Sequence, residues 1–241
     1  MIEFEHGFLV LSDGHQQPDE EPLPALVAAV TFCSETGIPL VLNGDWLDLV
    51  IHSKQEYIAS PILGAMYHLF TRCDVWYIPG NHEGRTALVA DVLQGFPLTI
   101  VPSLDVAVAG VPWHVEHGDR FAADWSWLRP VYQGIAATAL TVCPRQWELF
   151  CRRWSPKAAL NSGETEKYSE LTGVVWSNAL RYATKNQTNV VLGHTHTACT
   201  IKAGRWVADG GDARDGSGIE ICGNGEPHTR WFSNRIRKGF Y

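Results

Sequence analysis

The 241-residue sequence has no excess of basic residues, no closely paired cysteines and no long apolar run. Nineteen Lys and Arg stand against 26 Asp and Glu, a net charge of −7. The chain therefore lacks the electrostatic footprint of a general nucleic-acid binder, and long nucleic acid is not an expected partner. The six cysteines (Cys33, Cys73, Cys143, Cys151, Cys199, Cys222) are scattered, with no C-x-x-C pair. Reduced, partly buried thiols are expected of them. No run approaches the roughly 18 apolar residues that a membrane span needs. The opening MIEFEHGFLVLSD has no positive n-region, so no signal peptide is expected and the cytosol is the expected compartment. Internal repeats and low-complexity linkers are also lacking.

What is present is the composition of a folded soluble domain, 45% apolar and 19% charged. The length suits a single domain, 1–241, carrying an insert. Short apolar runs recur, and each ends in polar residues able to do chemistry. FLVL leads into Ser12-Asp13-Gly14-His15, and IPLVL (38–42) into NGDWLD. VWYI (75–78) leads into PGNHEGR, VPWHV (111–115) into EHGDR, and NVVL (189–192) into GHTHT. Such runs, bounded by Gly, Pro or Asn, predict buried strands. Helical spacing over 24–36, 61–72 and 86–95 predicts helices between them, hence an α/β fold. In such folds ligands sit beyond the carboxyl ends of strands, where all five polar clusters lie.

Those clusters supply Asp13 and His15; Asp45 and Asp48; Asn81, His82 and Glu83; His117 and Asp119; His194 and His196. Residues i and i+2 of an extended chain point to one side, so Asp13 and His15 can reach one ion, with Gly14 expected to permit a sharp turn. Carboxylates, imidazoles and an Asn carbonyl oxygen suit a borderline divalent metal. They are too many for one ion and suit two that share a carboxylate, the arrangement for in-line displacement at phosphorus. The other histidines (His6, His52, His68, His114, His228) belong to no motif and are read as structural or surface residues.

The ordered blocks D-x-H, G-D-x-x-D, G-N-H-E, H-G-D and G-H-T-H, over residues 13–196, resemble the calcineurin-like metallophosphoesterase superfamily. The resemblance implies a β-sandwich flanked by helices and a pair of divalent ions, Mn²⁺ foremost, with Fe, Zn or Mg as alternatives. It implies Asp13, His15 and His196 as ligands of the first ion. Asp45 would bridge, and Asn81, His117 and His194 would hold the second. His82 would face the phosphate without binding metal, as acid or transition-state stabiliser, with Asp48 or Glu83 orienting it.

Residues 121–185 break the alternation. Trp147, Phe150, Cys151 and Trp154 form one stripe at helical spacing, and Tyr168, Leu171, Val175, Ala179 and Tyr182 a second, which predicts a helical insert. The layout is closest to the UDP-2,3-diacylglucosamine hydrolases, in which such an insert is a lid over an acyl-chain groove. On that likeness Asn161 and Lys167 would contact substrate, the substrate would be a phosphorylated small molecule or nucleotide-lipid, and Arg152, Arg153 and Lys157 would allow peripheral membrane contact. The chain departs from that family in having Gly80-Asn81-His82-Glu83 where G-N-R-D is usual. A phosphoprotein phosphatase is an alternative, although Leu49 stands where those enzymes usually carry a phosphate-gripping Arg. Nucleotide or cyclic-nucleotide phosphodiesterases and a catalytically dead binding module are others. The intact ligand set with His82 argues against the last. The oligomeric state has no signal in the sequence.

Overall fold

The computed structural model describes residues 1–84, 86–122 and 165–232, excepting the side chains of 165–171. Five strands fall where the apolar runs predict them: β2 Gly7–Leu11, β3 Leu40–Asn43, β4 Val75–Ile78, β7 Val111–Val115 and β8 Asn189–Leu192. Helix α1 spans Pro24–Thr36, α3 Pro61–Phe70 and α4 Thr86–Val92. A five-residue helix not predicted from the sequence, α2 (Lys54–Ile58), begins with a capping box between Ser53 and Glu56. The shorter or more exposed strands also lacked a sequence signal: β1 Ile2–Glu3, β5 Thr99–Ile100, β6 Leu104–Val108, β9 Cys199–Ala203, β10 Arg205–Asp209 and β12 Pro227–Trp231. Strand β11 spans Ser217–Cys222.

The strands form two six-stranded mixed sheets, ordered β1-β6-β7-β8-β10-β9 and β12-β11-β2-β3-β4-β5. Alternating side chains build the layers. Phe8, Val10, Val41 and Ile78 of the second sheet meet Val106, Trp113, Val115 and Val191 of the first in a dry interior. From the same strands, Leu9, Leu11, Leu40, Leu42 and Tyr77 face the other way and pack under α1, α3 and α4. Helix α5 (Thr165–Asn186) covers the outer face of the first sheet, where Val175, Ala179 and Ala183 meet Phe121, Val190 and Leu192. The result is a sandwich of two sheets flanked by helices, the α/β architecture expected.

The described part of the second insert stripe is thus core packing: Val175 and Ala179 are buried against the sheet. The first stripe, with Trp147, Phe150, Cys151 and Trp154, lies outside the described residues, as do Asn161, Arg152, Arg153 and Lys157. Lys167 has its backbone in α5 and its side chain outside the description. Among the described residues Cys33, Cys73, Cys199 and Cys222 are free thiols, and no helix is long and apolar enough to cross a membrane.

Candidate metal centre

Strands β2, β3 and β4 run parallel in one sheet, and β7 and β8 run parallel in the other. The loops at their carboxyl ends carry all five motif clusters. The sheets are tied together there: Asn43 Nδ2 donates to the Glu116 carbonyl at 2.9 Å, and the His194 amide donates to Asp13 Oδ2 at 2.9 Å.

Five of these residues share a feature that sequence patterning cannot show. Asp13, His15, Asp45, His194 and His196 have φ of 56°, 42°, 54°, 69° and 53°, in the left-handed region. For a non-glycine residue this costs about 1–2 kcal/mol each, and such strain gathers where side chains must be aimed. Backbone bonds hold the geometry: the Asp13 amide donates to the Gly44 carbonyl at 3.0 Å and the His15 amide to the Asp45 carbonyl at 2.8 Å. Gly14 is therefore not the hinge expected of it. The residues on either side take the left-handed conformation, and Gly14 instead makes room for the Trp46 ring, which a Cβ there would meet at 2.5 Å.

Among the described residues three groups of potential ligand atoms converge, each within 4.8 Å: Asp13, His15 and His196; Asp45, His117 and His194; and His15, Asp48 and His82, which shares His15 with the first. Asn81 joins the second, its Oδ1 3.2 Å from His117 Nε2, which also lies 3.1 Å from Asp45 Oδ2. His117 Nδ1 lies 3.0 Å from the Asn43 carbonyl. With Nδ1 donating to that carbonyl, Nε2 faces two acceptor oxygens, which either a proton on Nε2 or a bound cation satisfies. Asp13 Oδ1 is buried with no hydrogen-bond partner and lies 3.6 Å from His196 Nε2. An orphaned carboxylate oxygen in a cluster of imidazoles fits a divalent ion.

The electrostatics agree. Burial alone would raise the Asp45 carboxyl, but His117, His82 and His15 hold it well below the usual range. Burial lowers His196, and Asp13 and Asp212 outweigh it, lifting it to about 9. Burial and the neighbouring charge of His117 bring His194 down to about 4, leaving it neutral as a ligand must be. The cluster stabilises positive charge at its centre.

His82 stands beside the first group. Its Nδ1 is 2.8 Å from Asp48 Oδ1, and its ring meets His15 edge-on at 4.7 Å between centroids. Burial lowers its pKa, but Asp45 and the bond to Asp48 raise it to about 9. Asp48 Oδ2 also lies 3.6 Å from His15 Nδ1, so one carboxylate holds both rings. Glu83, the other candidate for orienting His82, turns away from it and accepts hydrogen bonds from the loops. Its pKa is raised by burial and by Asp45, against the pull of its donors.

Residues not singled out from sequence back the candidate ligands. Asp212 Oδ2 lies 3.4 Å from His196 Nδ1. Buried Asp209 accepts from the Thr195 hydroxyl at 2.6 Å, and Arg214 donates to the His15 carbonyl and to Glu20. In the sequence the GGDAR run (210–214) has nothing to separate it from an ordinary turn rich in Gly and Asp. The histidines without a motif join none of these ligand groups; His114, for one, is paired with Asp105 and Glu116.

Paired sheets between helices, with groups of potential metal-ligating side chains at the strand ends, make this an α/β sandwich with a candidate metal centre. That is the arrangement implied by the resemblance to calcineurin-like metallophosphoesterases. No protein-family model matches the sequence, and no curated protein does. Among solved structures, a novel archaeal phosphodiesterase is similar at 13% identity, over 93% of this chain and 98% of that one, with a TM-score of 0.48. A dimetal phosphatase from Danio rerio is similar at 12% identity, over 95% and 100%, with a TM-score of 0.47. A further solved structure reaches a TM-score of 0.50 at 11% identity, over 95% and 99%. Likeness at these identities concerns the fold alone.

Proposed function

We propose that the protein is a metal-dependent phosphoesterase that hydrolyses a phosphodiester or pyrophosphate bond. The observation that carries this reading is the convergence of two ligand groups around Asp13 and Asp45, with His82 held beside them by Asp48. Asp13, His15 and His196 would hold one ion, Asn81, His117 and His194 the other, and Asp45 would serve both. When bound, two divalent ions supply Lewis acidity toward the phosphoryl oxygens and an activated water. Mn²⁺ is the proposed pair, since mixed nitrogen and oxygen donors do not select a soft metal.

The chain's own part is positioning and proton transfer. With Nδ1 engaged by Asp48, the free Nε2 of His82 carries the proton for the leaving oxygen. Asp48, a buried carboxylate held far below the usual range by His15 and His82, keeps that ring oriented and charged.

A recess of about 450 Å³ opens beside His117, lined by Thr86, Ser103, Asp119 and Arg120 among others. Its hydroxyls and charges suit a polar group of the substrate better than an acyl chain. The finer reading, a UDP-lipid such as UDP-2,3-diacylglucosamine met at a membrane surface from the cytosol, is supported by the sequence layout and the Trp-rich insert. It remains part of the proposal, as does a nucleotide phosphodiester. A Mn²⁺-supplemented screen of phosphomonoesters, phosphodiesters and UDP-lipid pyrophosphates, scored by product, separates these. Release of UMP from the lipid substrate supports the finer reading; turnover of simple phosphodiesters alone removes it. No product from any class sinks the phosphoesterase.

A further inference from the structure

Among the described residues Glu83 is the most densely hydrogen-bonded carboxylate near the centre, yet it belongs to none of the three ligand groups. Its Oε2 accepts the amide of Asp45 at 2.8 Å and that of Gly80 at 2.6 Å. Its Oε1 accepts the amides of Trp46 at 2.5 Å and Leu47 at 2.9 Å, and the Tyr77 hydroxyl at 2.6 Å. The residue is 1% exposed, so bulk water does not compete for these bonds.

The partners fall on two separate pieces of chain. Asp45, Trp46 and Leu47 form the loop after β3; Tyr77 lies in β4, and Gly80 begins the turn that carries Asn81 and His82. The same two pieces meet again above Glu83, where the His82 amide donates to Asp45 Oδ1 at 2.8 Å. A Cβ on residue 80 would lie 2.2 Å from that Oδ1, so the loops touch with no slack. Asp45 itself is left-handed, a conformation a free loop would leave.

We propose that Glu83 is a positioning residue that locks the bridging carboxylate Asp45 and the Asn81–His82 turn into one frame, and so sets the affinity of the second ion. This rests on the metal-centre reading above. All five donors point N–H or O–H at oxygen, so only an acceptor on both arms fits. In Glu83→Gln, whichever way the amide turns, at least two donors face an NH₂ group. The frame opens at Asp45 and Gly80, or at Trp46, Leu47 and Tyr77. Partners of this kind behind metal ligands typically set affinity or rate by about 10–100-fold.

The test compares wild type, Glu83→Gln and Tyr77→Phe, the last removing one donor while keeping the carboxylate. Mn²⁺ binding is read by calorimetry and by metal analysis after dialysis, with the melting temperature of the metal-free protein alongside. Glu83→Gln is expected to bind the second Mn²⁺ about 10–100-fold more weakly while the first stays near its wild-type affinity. Tyr77→Phe should move the same way by a smaller factor. If Glu83→Gln holds two ions as tightly as wild type and only melts lower, Glu83 is plain structure and the proposal falls. If Glu83→Gln does not fold, Tyr77→Phe decides: unchanged affinity for the second ion overturns the proposal. Wild type binding fewer than two ions is a different failure, that of the metal-centre reading itself.

Discussion

The Nδ1 atom of His82 lies 2.8 Å from Asp48 Oδ1, while the other oxygen of the same carboxylate lies 3.6 Å from Nδ1 of His15. One buried acid thus aims two rings, and with them forms a group of potential ligand atoms that shares His15 with the Asp13 group. Asp48 is in turn fixed through its own amide, which donates to the Tyr57 hydroxyl at 2.7 Å.

That arrangement separates two measurements. His82→Ala is expected to lose turnover by roughly 10²–10⁴-fold, the size usual for a general acid, while keeping its metals. Asp48→Asn should lose less, because His82 remains but is less well held. Metal content falling in step with activity in His82→Ala would make His82 a ligand instead.

Gly14→Ala probes the close approach behind the first ligand loop. A Cβ there lands 2.5 Å from the Trp46 ring, which is fully buried. Overpacking of this kind costs about 1–3 kcal/mol. The melting temperature should fall, and pairing the change with Trp46→Leu should recover part of it. An unshifted melting temperature in Gly14→Ala would refute this account of the glycine.

His114 offers a pH test away from the metals. Burial lowers its pKa, but Glu116 and Asp105 outweigh burial and raise it above the ordinary value. A raised histidine stabilises the fold fully below its unfolded pKa, and the benefit fades as pH rises through the folded value. In metal-free protein, His114→Gln should therefore lower the melting temperature more near pH 6 than near pH 9. An equal loss at both would mean the pair contributes nothing through charge.

Much of this was legible in the sequence because it depends on period and type. The runs FLVL, VWYI and NVVL are strands buried on both faces, and α1 begins at Pro24 as its pattern predicts. The ligand residues stand at strand ends because the polar clusters follow those runs. What was not legible depends on contact across the chain. The reading that Gly14 makes the turn was wrong, since nothing local says that Asp13 and His15 take the strained conformation while Trp46 fills the space beside Gly14. Glu83 was a candidate for orienting His82, but three of its five partners, Asp45, Trp46 and Leu47, lie 36 to 38 residues away, where no spacing rule reaches. Strands β9 and β12 have exposed faces and no clean alternation, so the pattern did not mark them.

The central claim is that one carboxylate, Asp45, joins two ions in a single centre. Its two oxygens already face different partners, Oδ1 the His82 amide and Oδ2 the ring of His117. Metal analysis of protein dialysed against Mn²⁺, wild type beside Asp45→Ala, tests this most directly. The account predicts two ions per wild-type chain and a loss of at least one in the variant. One ion per chain, unchanged in Asp45→Ala, would contradict it.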